Sequence, residues 1–205
     1  MEILQTIWTA LTTENELLIK VTSMPMLILE LYVSMLLFTT ILNIKSTKKQ
    51  KVLYVSILSF IGFINLWLIP TPYNTFINLL ACPILVYFIF KTSILKSILA
   101  EIIPYIASVI LISFLTNVYS LIFNIDSSYI IIIPLHRFGY SIIQYFFIYI
   151  FYMFCKHFDF SIDIKHNLKS KNHIILLLNF IIGIIALAIQ SYITTKYSNI
   201  LPYIV

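Results

Sequence analysis

Lys45-Ser-Thr-Lys-Lys-Gln-Lys51 places four lysines in seven residues between two apolar runs, 26–44 before it and 52–69 after it. Each run is long enough to cross a hydrocarbon core of about 30 Å at about 1.5 Å per residue. Four cations this close to two membrane ends hold their link on the cytoplasmic side. Once that link is placed inside, the side of every later link follows by counting crossings. The stretch therefore reads the chain as a multi-pass protein of the plasma membrane with a defined orientation.

Composition agrees. Of 205 residues, 60% are hydrophobic and 10% charged, with a mean hydropathy of +0.99, whereas soluble domains carry about 25% charged residues. The net charge of +5 does not point to nucleic acid, because the lysines lie in short links between apolar runs. No nucleic-acid partner is expected, and membrane lipid is. Residues 1–20 lack a basic n-region and a continuous apolar stretch, so they do not read as a secretory signal. The two cysteines, Cys82 within a run and Cys155 at the end of one, do not suggest a disulfide framework. Glycine occurs three times, and the abundance of Ile, Lys and Asn reads as compositional bias.

Taken in order, residues 1–22 space Ile3, Leu4, Ile7, Trp8, Leu11 and Leu18 at helical intervals between polar residues, which predicts an amphipathic helix lying in the outer interface. Residues 23–205 form one membrane domain with spans at about 26–44, 52–69, 73–90, 97–118, 135–155 and 173–194. Pro70-Thr-Pro72 makes a tight outer turn and Pro104 a kink in the fourth span. Residues 119–133 form the longest outer connection, with Asp126-Ser-Ser128 as its turn. The fold class is all-α, six transmembrane helices plus the interfacial helix. Ten of the thirteen basic residues fall on the inner side, which puts both termini outside. Residues 199–205 turn apolar again, like the opening turn of a further crossing.

A polar side chain inside a span is costly, about 2.5–3.5 kcal/mol for a charge at mid-helix, so such residues are candidate sites. Glu30, Asn65, Asn74, Asn78, Asn117, His136, Arg137, Gln144 and Gln190, with Tyr73 and Tyr140, all fall in the outer half of their spans. One reading is a pocket open to the medium, in which Glu30 and Arg137 are charge partners and Asn74, Asn78 and Tyr140 supply hydrogen bonds. The other is that these groups join helices, at about 0.6 kcal/mol each. Glu101, near the inner end of span four, fits the positive end of its helix and Lys96 or lipid headgroups. No H-E-x-x-H, C-x-x-C, glycine-rich nucleotide loop or phosphoacceptor motif occurs, so no metal, cofactor or catalytic residue is assigned and the chain is not expected to be an enzyme.

Three stretches carry a resemblance: Ile41-Leu-Asn-Ile-Lys-Ser-Thr-Lys-Lys-Gln50, Pro70-Thr-Pro-Tyr-Asn-Thr-Phe-Ile-Asn78 and Ile89-Phe-Lys-Thr-Ser-Ile-Leu-Lys-Ser-Ile-Leu-Ala-Glu-Ile-Ile-Pro104. Together with the late basic segment they resemble the membrane sensor of accessory-gene-regulator-type quorum-sensing histidine kinases of clostridia, the class with a GHKL ATPase module. The resemblance implies a homodimeric receptor in two-component signal transduction that detects a secreted, often cyclic, autoinducing peptide. Family members continue into a dimerisation helix with a phosphorylatable histidine and an ATP-binding domain. Neither is present in these residues, so the expectation is a sensor module without kinase activity of its own. Two alternatives stay open: the substrate-binding membrane subunit of a small-molecule (vitamin) importer, and a membrane peptidase relying on Cys155.

Overall fold

The computed structural model describes residues 2–69 and 73–162. Every regular element among them is an α-helix: α1 (Glu2–Thr12), α2 (Glu16–Ile41), α3 (Lys48–Leu68), α4 (Tyr73–Phe90), α5 (Ile94–Phe123), α6 (Ser127–Ile132) and α7 (Pro134–His157). Four of them, α2, α3, α5 and α7, are long and apolar enough to cross a membrane. The expected sixth span at 173–194, with Gln190, the Pro70-Thr-Pro72 turn and the basic residues beyond 162 lie outside the described residues. Of the six expected crossings the structure thus supplies four, plus the shorter apolar α4 at the position expected for the third.

Expected boundaries move where hydrogen bonding, rather than apolarity, ends a helix. Asn15 caps α2 by accepting from the Leu18 N–H at 3.0 Å, and Lys20 pairs with Glu16 at 2.7 Å one turn on. Residues 16–22, read from the sequence as part of the interfacial helix, are therefore the first turns of α2. α5 runs for 30 residues, about 45 Å at the helical rise, against a hydrocarbon core of about 30 Å. It tilts or projects from the core. It also absorbs the start of the expected 119–133 connection. The rest is largely α6, capped by the Asp126 carboxylate, which accepts from the Ser128 N–H and hydroxyl at 2.8 Å each.

The lysine link is two helix caps back to back. Asn43 sits at φ 48°, and its N–H reaches the Thr40 carbonyl at 3.1 Å while the Ile44 N–H reaches Thr39 at 2.9 Å. These two bonds close α2 in a Schellman motif. Thr47 then opens α3 with a reciprocal capping box: its hydroxyl accepts from the Gln50 N–H at 3.3 Å, and the Gln50 side chain accepts from the Thr47 N–H at 2.9 Å. Lys48, Lys49 and Lys51 fall in the first turn of α3, where the helix dipole disfavours cations. Helix electrostatics gives no reason for them there. Asn124 and Asp159 adopt the same left-handed conformation after α5 and α7, and Lys91 after α4. The asparagine bias thus has a use, since Asn43 and Asn124 occupy the place glycine usually takes.

The described chain forms two compact units, residues 1–45 with 102–162, and residues 46–101. In the first, Val33, Leu37 and Ile41 of α2 (a turn apart each) bury against Tyr145, Ile148 and Cys155 of α7, with Ile103, Ala107 and Leu111 of α5 alongside. Glu30 meets Tyr145 near the middle of this seam, and the Ile41 carbonyl accepts from the Ile162 N–H at 2.7 Å at its end. α2 and α7 therefore run parallel. α5 opposes both, with Tyr119 and Thr116 facing His136 and Tyr140. α1 lies against α7 and leaves Ile3, Leu4, Ile7 and Trp8 exposed. In the second unit α3 packs on α4, and α5 contributes Ile94–Glu101.

Candidate functional site

The polar groups of the first unit gather on one face of α7. Its buried residues include Tyr140, Gln144, Tyr145 and Ile148, with Arg137 partly buried one turn before Tyr140. Steps of three and four residues put Arg137, Tyr140, Gln144 and Ile148 on one helix face, with Tyr145 beside Gln144 at its edge. The Tyr145 hydroxyl donates to Glu30 Oε2 at 2.9 Å, joining the two long helices halfway along each. Because α2 starts at Glu16, Glu30 stands at the middle of its helix rather than towards one end.

Closer to the N-terminus of α7, the Tyr140 hydroxyl donates to the Ile112 carbonyl at 3.4 Å and lies 3.1 Å from the Thr116 hydroxyl. The Tyr119 hydroxyl lies 3.3 Å from His136 Nδ1, with its ring edge-on to Tyr140 at 5.7 Å. Gly139 makes room for this phenol. A Cβ there would stand 3.3 Å from the Tyr119 hydroxyl oxygen, which would have to retreat.

The expected Glu30–Arg137 ion pair does not form. Arg137 precedes Tyr145, the partner of Glu30, by eight residues, about 12 Å of helical rise between the two backbone positions, and its side chain makes no hydrogen bond or ion pair with a described residue. Glu30 instead takes a neutral phenol as its partner. Sequence reading placed Glu30, Arg137 and Tyr140 together and missed Tyr145, Thr116 and Tyr119. For Tyr145 a signal existed, since it flanks Gln144 on the Arg137–Tyr140 face. Thr116 and Tyr119 carried none without the pairing of α5 with α7.

Asn78 belongs to the second unit, where its Oδ1 accepts from Asn65 Nδ2 at 2.7 Å. Asn74 lies in the first turn of α4, and its side chain is outside the described residues. The same unit buries Tyr54 and Cys82, hydroxyl to sulfur 3.1 Å, and brings the Glu101 carboxyl within hydrogen-bonding reach of that thiol. Glu101 is thus two turns inside α5, beyond the first turn where the dipole acts, and faces α4. Gln50 Nε2 donates to the Ile89 carbonyl at 2.7 Å, and the Thr92 and Ser97 hydroxyls lie 2.9 Å apart. Asn117 donates to Ser113 of its own helix.

Outside the spans, the Ser128 N–H and hydroxyl hold the Asp126 carboxyl below its ordinary value of 3.8. An apolar groove of about 500 Å³ runs between α5 and α7, lined by Ala107, Ile110, Leu111, Phe147, Ile150, Phe151 and Phe154. The described residues hold no cluster of three His, Cys, Asp or Glu side chains arranged for a metal. No family model, curated protein or solved structure matches this chain.

Proposed function

We propose that the chain is a membrane-embedded sensor module that binds a secreted peptide for two-component signalling, acting as a homodimer in the plasma membrane. Six spans, cytoplasmic lysine links and external termini complete the reading. Helix directions within residues 1–45 and 102–162 support it: α2 and α7 run parallel, and α5 runs antiparallel to both. A cysteine placed at Lys48 should react with a membrane-impermeant thiol reagent only after cells are opened.

The observation that carries the reading is a pair of opposite charges, Glu30 and Arg137, set in one helix bundle without neutralising each other. A structural ion pair would have closed. A mid-helix acid, which costs ~2.5–3.5 kcal/mol when charged on insertion scales, together with an arginine that has no ion pair among the described residues, is what a ligand site requires. The test incubates the purified full chain with the peptide fraction of spent culture medium and identifies retained peptide by mass spectrometry. Wild type retains a peptide, whereas Glu30→Ala and Arg137→Ala insert normally and retain none. Retention of a vitamin in place of peptide would move the chain to the importer class.

A further inference from the structure

We infer that Arg137 seats an anionic group, a carboxylate or a phosphate, delivered at the N-terminal end of α7. This deepens the sensor reading by naming the chemistry that the same site recognises.

Arg137 is the single arginine among thirteen basic residues; the other twelve are lysines. A lysine meets every need of topology, since the sidedness bias counts both cations alike. What arginine adds is a planar fork of donors that matches a carboxylate or phosphate through two parallel hydrogen bonds. Among the described residues this fork is unused, for Arg137 has neither ion pair nor side-chain hydrogen bond.

Three further features favour an anion there. The first turn of α7 begins at Pro134 with Ile133 as its N-cap and no side-chain cap, so the Leu135 and His136 N–H groups add their partial positive charge. The one carboxylate of the α2–α7 seam, Glu30, is taken by Tyr145 about 12 Å of helical rise away. Finally, the flanking side chains are held in place, His136 by Tyr119 and Tyr140 at Ile112 and Thr116. A partly buried guanidinium so placed lacks only its counter-charge, which can come from a ligand carboxylate or from a lipid headgroup.

Because the arginine is unique, labelling with ¹⁵N-arginine gives one side-chain Nε–H signal that reports Arg137 directly. The full chain is held in phosphate-free maltoside micelles and titrated separately with acetate, inorganic phosphate, phosphatidylglycerol and, as the ionic-strength control, chloride. A shift that saturates with acetate or phosphate and is absent with chloride supports the inference and assigns the site to soluble anions. Saturation with phosphatidylglycerol alone supports it too, and assigns a headgroup. A shift that is linear and equal for all four, or no shift, overturns it, leaving Arg137 as a cation solvated by water. The signal is read without any peptide. Failure here therefore leaves peptide retention standing, while loss of peptide retention beside an intact anion shift removes the sensor reading alone.

Discussion

The two units handle polar groups inside apolar helices in opposite ways. In residues 46–101 four polar side chains close on one another or on backbone, Asn65 on Asn78, Tyr54 on Cys82, Gln50 on the Ile89 carbonyl and Thr92 on Ser97, while the buried Ser59 hydroxyl has no partner among the described residues. Such pairs remove the penalty of an unsatisfied donor and tie helices together, each worth ~0.6 kcal/mol on average. In the other unit Glu30 and Arg137 form no ion pair: Glu30 accepts from the Tyr145 hydroxyl, while Tyr140 and Tyr119 engage Ile112 and His136. Identical helix chemistry thus yields an adhesive in one place and an unfinished electrostatic arrangement in the other. Being buried and polar does not separate these roles; whether the partners cancel does.

That contrast can be broken most directly by exchanging the outcomes. Peptide retention should disappear in Glu30→Ala and Arg137→Ala and survive at wild-type level in the Asn65→Leu, Asn78→Leu double variant. The reverse pattern would place the site in the second unit. Next in size is Tyr145→Phe, which strips the Glu30 carboxylate of its donor and leaves the ring. By the cost of an unsatisfied buried acceptor, about 1–3 kcal/mol, detergent-solubilised protein should lose thermal stability, and a Tm equal to wild type would show that water already serves Glu30.

Smaller again is the amide pair itself. Either Asn65→Leu or Asn78→Leu should cost up to about 1.7 kcal/mol, with the double variant costing no more than the worse single, since a lone amide loses its partner. Strict additivity would mean that the two amides do not act as a pair.

The smallest effect lies outside the membrane, at the α6 cap. The Asp126 carboxyl titrates below its ordinary 3.8 when folded, so its cap is fully present above that value and is lost as pH falls through the folded one. The Ser128 amide resonance should move over that acidic window in wild type and stay put in Asp126→Asn. A midpoint at or above 3.8 would rule out the cap as the cause.

Much of this architecture was legible beforehand, and the reasons are specific. The lysine cluster, the Pro134 start of α7 and the 73–90 run are local signals, and α4 and α7 fall where those signals put them. The beginning of α2 was misjudged because Glu16, Lys20 and Thr22 lower apolarity without interrupting the hydrogen-bond ladder. α5 was drawn too short for the same reason, its ends extending past the apolar run. At the site, depth along the chain grouped Glu30, Arg137, Tyr140 and Asn78, and the structure adds that Asn78 accepts from Asn65.

Sequence alone determined that this is an all-helical membrane chain and where most of its helices lie, because hydrocarbon leaves the backbone no other way to satisfy its own polar groups. Which polar side chains meet was decided by tertiary structure. An apolar helix surface is as compatible with lipid as with protein, so composition carries no record of which face turns to which neighbour. Only the parallel seating of α2 on α7 showed that Glu30 answers to Tyr145 and, among the described residues, not to Arg137.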